Sequence, residues 1–347
     1  MAGAAARATH SAGNHITERQ DLMRERQLRE AAIQEVGDEA VGPSCQRSGR
    51  YGAIARTIAR RMPFEVALAL PAQLTVLAVV LVPTLVVLWL SVTSWQPTQG
   101  IPWYKAEVVW LSNFVDLVQD ADFVSAVLRT VFIVVLSAAV ELFLAIGLAL
   151  LFMEDWAWRR LAVSAIIIPM MIVPVDAANA FYMLFNDQGP LNYILSLLIG
   201  RTVQIDWLGD VHLALVPIIL CEIWQWTPLM FLLMLTGLMN LPENQIRAAA
   251  VLGASPRRVF MRVILPLLMP VILLSLIVRS IEIFKLFDPV YIMTQGGPGN
   301  ATETISMYMY HGAFMFFRMG YMAAAALMVL VVVITISAML ARPLMRH

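Results

Sequence analysis

The chain has 347 residues, 60% of them hydrophobic and only 14% charged, whereas soluble domains run about 45–50% apolar and about 25% charged. That departure excludes a soluble globular enzyme and intrinsic disorder. A formal net charge of +0 from 24 basic and 24 acidic residues argues against a nucleic-acid-binding surface, and two cysteines, Cys45 and Cys221, cannot build a disulfide framework. The expectation is an all-α polytopic membrane protein.

Residues 1–62 read as a polar tail, holding 17 of the 48 charges. Thr17-Glu18-Arg19-Gln20 has capping-box spacing, and the stretch to Val36 is rich in helix formers, so a short solvated helix and plain disorder stand as equal readings. Gly42-Pro43-Ser44 and Ser48-Gly49 read as linker. The tail's basic cluster and the first apolar run begin some 55 residues in, unlike a secretory signal of about 15–30 residues.

Residues 63–347 read as one transmembrane body. A bilayer-crossing helix needs about 20 mostly apolar residues. Six runs meet that need: 68–93, 124–153, 161–185, 211–238, 264–287 and 320–341. Pro71, Pro83, Pro169, Pro174, Pro217 and Pro270 interrupt them, which membrane helices tolerate when neighbours satisfy the freed carbonyls.

Arginines mark one side of this body. Arg56, Arg60 and Arg61 precede the first run, Arg159 and Arg160 follow the second, Arg247, Arg257, Arg258 and Arg262 follow the fourth, and Arg342 and Arg346 close the chain. The alternate loops are poor in positive charge, with Lys105 against Glu107, Asp116, Asp120 and Asp122, then Arg201 against Asp187, Asp206 and Asp210, then Arg318 against Asp288 and Glu303. Because positive residues stay cytoplasmic, six spans with both termini inside satisfy every loop.

Between the fourth and fifth runs lies LPENQIRAAAVLGASPRRVFMRVILPLLMP, residues 241–270. Pro242 suits a first helical turn and Glu243 complements a helix N-terminus. Ala248, Ala249 and Ala250 are strong helix formers. Gly253 sits where a C-cap needs a left-handed residue, and Ser255-Pro256 restarts a helix. The segment reads as a helix–turn–helix on the cytoplasmic face.

This segment resembles the EAA loop of permease subunits of importing ABC transporters. Ala248-Ala249, Gly253-Ala254, Phe260, Val263 and Leu265-Pro266 fall at the family spacing, with Arg247 in place of the motif Glu and Leu252 where an Asp often precedes the Gly. The resemblance covers roughly 65–345. Trp224-Gln225-Trp226-Thr227-Pro228, Phe284 to Asp288, and Tyr291 to Gly299 look like the carbohydrate-uptake branch, on the side of the maltose-type first permease.

The resemblance implies an ABC type I importer permease fold in a bacterial inner membrane. It implies a second permease, two ATP-binding subunits, an extracytoplasmic solute-binding protein and a carbohydrate substrate, with lipid around the spans. ATP and magnesium would stay on the partner ATPases, this chain holding no cofactor and acting as no enzyme. Arg247, Ala248, Ala249, Gly253, Ala254, Arg257 and Arg258 would couple to the ATPase, Arg247 meeting an acidic residue in place of the usual Glu contact.

The residues unaided agree with the absence of an active site. No GxxxxGK[ST] or HExxH is present, and the five histidines are scattered. Gly296-Gly297-Pro298-Gly299 reads as an outer turn, and His311 as an ordinary polar loop residue. Ionisable residues within spans usually face the bundle interior or water. Arg279 and Glu282 are spaced i, i+3 and are expected to pair, with Lys285 and Asp288 continuing that spacing. Glu141 is expected to pack against a partner helix or to be capped by Arg129. Two readings stand for Glu222, Trp226, Arg279, Glu282 and Ile283: a sugar path of polar and aromatic groups, or a structural charge pair beside an interfacial tryptophan belt. A carrier driven by an ion gradient is the competing function, and an intramembrane enzyme lacks its catalytic constellation.

Overall fold

A computed structural model of the chain describes residues 64–154 and 156–343. The tail, with the Thr17 capping box, the linkers and Arg56 to Arg61, lies outside the described residues. The chain divides into two compact units, 1–81 and 82–347. Every site discussed below belongs to the second.

Helix α1, Phe64–Ser91, is apolar along nearly its whole length, with Leu74, Val76, Leu77 and Val79 exposed. A helix of that kind belongs in lipid or against another membrane subunit. At its end, Asn113 of α2, Ser112–Gln119, donates to the carbonyls of Ser91 and Thr93, both at 2.9 Å. The first of these bonds satisfies a carbonyl that the helix terminus leaves open.

Helix α3, Ala121–Leu151, starts on the Asp120 side chain, which accepts from the backbone N–H groups of Asp122 and Phe123. Six of its ten buried residues are small: Ala126, Thr130, Ser137, Ala138, Ala145 and Ala149. Small residues let helix backbones approach closely in a membrane, where lipid removes the hydrophobic drive between helices.

The third expected span, 161–185, is not one helix. Helix α4, Arg159–Met171, and helices α5, Pro174–Phe185, and α6, Pro190–Ile199, form a pair bent by 93°. The cause is local. Pro174 has no N–H and pushes Val173 out of the helical region; Ile172 and Val173 are extended, with ψ 136° each. The Ile172 carbonyl, left without a helical donor, accepts from Gln225 Nε2 at 2.8 Å.

That glutamine lies on α7, Leu215–Met239, whose buried residues run along most of its length. Near the Arg159 end, Phe152, Met230, Phe231, Met234, Leu238, Leu268 and Ile272 form one apolar cluster with Ala145 and Ala149. A Cβ at Gly237 would lie 2.8 Å from Leu268 Cδ1, so the glycine lets α7 reach the next long helix.

After α8, Glu243–Val251, Gly253 turns the chain at φ +75°. The N–H of Ala254 reaches back to the Ala249 carbonyl at 3.1 Å, the six-to-one bond of a Schellman motif. Ser255 caps α9, Pro256–Val259, through its carbonyl rather than its hydroxyl, which makes no capping bond. A π turn, Phe260–Ile264, leads into α10, Leu265–Phe284. The expected helix–turn–helix is present, with Pro242 one position before the first helical residue.

The far ends of the helices are tied together by α11, Asp288–Met293, and α12, Ile305–Tyr310. Thr304 Oγ1 donates to the Leu286 carbonyl at 3.0 Å and Ser306 Oγ to that of Phe284 at 3.1 Å. The exposed carbonyls at the end of α10 are thereby paired. Helix α13, Met319–Ala341, closes the fold. Gly320 packs there on the Thr93 carbonyl, which any Cβ would strike. Among the described residues, five helices are long and apolar enough to cross a membrane, and the bent pair makes six.

Candidate functional site: a buried charge triad beside a polar cavity

Three long helices meet at Arg279. Its Nε donates to Glu141 Oε2 at 2.7 Å and its Nη2 to Glu141 Oε1 at 2.8 Å, a bidentate pair between α10 and α3. The same Nη2 lies 2.7 Å from Glu222 Oε1 on α7. The three side chains are 0%, 0% and 5% exposed. An isolated charge in such a place is prohibitive, so each ion needs the others.

One expectation fails here, and of the two alternatives for Glu141 the packing against another helix is the one seen. Glu282 does not pair with Arg279; it meets Lys285 at 3.0 Å. Arg279 is fully buried and points inward to carboxylates on other helices, whereas Glu282 lies on an exposed part of α10. Nor is Glu141 capped by Arg129. That arginine donates to the Glu303 carbonyl at 2.6 Å and to Ser125 Oγ at 3.1 Å.

Beside the triad is a cavity of about 120 Å³ lined by Pro174, Glu222, Gln225, Trp226, Glu282, Lys285, Phe287 and Asp288, among others. Glu222, Trp226 and Glu282 are therefore brought together as the sequence suggested. Arg279 stands behind Trp226, its guanidinium 5.2 Å from the ring centroid, within cation–π range. Ile283 is fully buried in the apolar core and is not among the lining residues. Gln225 was missed as a site residue. Its signal was an uncharged polar side chain in the middle of an apolar run. Among the described residues, neither Gln225 Oε1 nor Arg279 Nη1 has a hydrogen-bond partner.

The arginine-marked loop lies at another end of the same helices. Arg247, Ala248, Gly253, Arg257 and Arg258 are exposed, and Ala249 and Ala254 are partly so. Val251 and Leu252, each 87% exposed, make an apolar tip between the arginines.

At the opposite end, Asp120 accepts from Tyr308 Oη at 2.7 Å and Tyr321 Oη at 3.0 Å. Burial pushes its carboxyl upward, but the donors from Tyr308, Phe123, Tyr321 and Asp122 outweigh that and hold its pKa below the ordinary value. Burial and the Asp120 charge in turn push the Tyr308 hydroxyl upward. His311, read from sequence as an ordinary loop residue, has its Nδ1 2.8 Å from Glu303 Oε1. Gly296 and Gly299 have φ +89° and +59°, as the expected turn requires.

The comparisons with known proteins bear on this arrangement. A family model described as the binding-protein-dependent transport system inner membrane component matches residues 55–343. A probable ABC transporter permease protein, y4oQ of Sinorhizobium fredii, is 32% identical over 290 residues, 83% of this chain and 92% of that protein. The trehalose/maltose transport system permease protein MalF of Thermococcus litoralis is 31% identical over 270 residues, 77% of this chain and 88% of its own. Among solved structures, a chain of a bacterial ABC transporter importing the acidic polysaccharide alginate matches at a TM-score of 0.70 and 20% identity. It covers 85% of this chain and 99% of that one, a likeness of fold.

Proposed function

The chain belongs to the binding-protein-dependent transport system inner membrane components, and on that premise we propose that it is the carbohydrate-conducting permease of an ATP-driven importer. The observation that carries the substrate class is the cavity of Glu222, Gln225, Trp226 and Glu282 among the spanning helices, in a chain 31% identical to a trehalose/maltose permease. An indole face beside hydrogen-bonding groups is what a pyranose ring needs, apolar C–H on one side and hydroxyls on its edge.

The proposed body is 63–347, with residues 1–62 as a polar cytoplasmic extension. The Arg159, Arg160 and Arg247 to Arg262 loops face the cytoplasm in a bacterial inner membrane, with both termini inside. There the loop of Arg247, Ala248, Ala249, Gly253, Ala254, Arg257 and Arg258 meets one of two ATPase subunits, which hold the ATP and magnesium. Leu252 and Val251 enter an apolar recess, and the arginines meet acidic groups around it. A second permease packs beside these spans. An extracytoplasmic binding protein delivers the sugar to the end that carries Asp120 and Glu303. Closure of the ATPases pushes α8, and α9 with α10 behind it carries the push to the helices that wall the cavity.

An ion-gradient carrier is not favoured by this membership. The test is reconstitution of the complete complex in proteoliposomes. Trehalose or maltose, with the binding protein, should stimulate ATP hydrolysis and be taken up only with ATP. Uptake driven by a proton or sodium gradient without ATP would overturn the proposal.

A further inference from the structure

The cavity next to the triad has a sign. Its lining carries Glu222, Glu282 and Asp288 against the single cation Lys285. Immediately behind it Arg279 is shared by two carboxylates, Glu141 and Glu222, while Lys285 is engaged by Glu282. Four carboxylates thus surround two cations, and both cations already have carboxylate partners. An anionic ligand would meet this excess of carboxylates and be repelled by it. Protonation of one carboxylate would lessen the excess without creating a cation.

A second, independent observation fixes the hydrogen-bond sense. Gln225 is 1% exposed. Its Nε2 is committed to the Ile172 carbonyl, which orients the amide and leaves Oε1 with no partner among the described residues. A buried amide oxygen wants a donor. The lining therefore offers acceptors, Gln225 Oε1 and the carboxylates, and it calls for a ligand that brings O–H donors and no negative charge.

We infer that this cavity selects an uncharged polyhydroxylated ring over an anionic one, with Gln225, Glu282 and Asp288 as specificity-determining residues. The inference rests on the carbohydrate-permease reading and narrows it: neutral sugars pass, while uronates, sugar phosphates and sugar sulfonates are refused by the permease itself and not only by the binding protein.

The test bypasses the binding protein. The purified permease–ATPase complex is titrated with methyl glucoside and with glucuronate, two probes of nearly the same shape, and saturation-transfer NMR reads binding. Methyl glucoside should bind, and glucuronate should bind about ten-fold or more weaker at neutral pH. Asp288→Asn and Glu282→Gln should each narrow that ratio, and Gln225→Met should weaken methyl glucoside while leaving the ratio in place. Glucuronate binding as well as methyl glucoside would overturn the inference with the carbohydrate reading intact. Binding of neither probe by a complex that trehalose and its binding protein still stimulate would also overturn it, by placing the sugar elsewhere. Failure of every sugar to stimulate that complex would instead bring down the carbohydrate reading.

Discussion

Arg279 and Glu222 are 57 positions apart in the chain and 2.7 Å apart in space. With Glu141 they lock α3, α7 and α10 at one depth, where none of the three ions is stable without the others. Removing one partner of a buried ion pair typically costs about 3–5 kcal/mol, because the survivor is left unpaired. Arg279→Met should be the harshest single change, since it strands two carboxylates. Glu141→Gln should be milder, because Glu222 still holds the guanidinium. Thermal unfolding of the purified chain in detergent checks the order. Equal losses from the two variants would show that Glu222 alone does not hold the guanidinium.

The bend between α4 and α5 depends on a side chain from a third helix. Gln225→Leu keeps the shape of the residue and removes the donor to Ile172. Leaving that carbonyl unpaired costs about 1–3 kcal/mol. The effect should be local, with faster hydrogen exchange at 173–177 and little change along α3. Uniform acceleration in every helix would argue that Gln225 supports the whole bundle rather than the break.

Much of this architecture was legible before the structure, because membrane spans advertise themselves by composition. The runs at 124–153, 211–238 and 320–341 became Ala121–Leu151, Leu215–Met239 and Met319–Ala341. Gly253 announced its left-handed turn. The pairing of charges was not legible. Helical spacing relates residues three or four apart, so it offered Arg279 a neighbour at Glu282. It had no means of weighing Glu141, which is 138 positions away. An acid and an arginine, each isolated in an apolar run, are a reason to look for each other across helices. The broken third span was half legible: Pro169 and Pro174 were visible, but the extended backbone between them depends on a bond from Gln225.

Acid should loosen the end of the molecule that carries Asp120. Its pKa is held below the ordinary 3.8 by its donors. A carboxyl with a depressed folded-state pKa stabilises the fold fully above its unfolded pKa and loses that contribution as pH falls through the folded one. The loss therefore lies below pH 3.8. Tyr308→Phe removes the 2.7 Å donor and should cost about 1 kcal/mol at neutral pH, once solvent screening is allowed for. That cost should shrink as the carboxyl protonates. Melting temperatures of wild type and Tyr308→Phe across pH 3–7 test the sign; a gap that widens in acid would refute the assignment.

Gly253 offers the sharpest test of the proposed coupling loop, because its neighbourhood separates strain from collision. A Cβ added there meets nothing within 4 Å, yet φ is +75°. Any penalty therefore comes from the backbone alone, about 1–2 kcal/mol for an ordinary residue in the left-handed region. Asn tolerates that region and a β-branched residue does not. Gly253→Asn should keep sugar-stimulated ATP hydrolysis and transport, whereas Gly253→Val should reduce both together, or break the link so that ATP is hydrolysed without uptake. The Ala254-to-Ala249 bond should weaken in the Val variant and appear as faster exchange at Ala254. If Gly253→Val transports at the wild-type rate in the reconstituted complex, α8 is not the lever, and the push from the ATPases must enter the membrane helices by another contact.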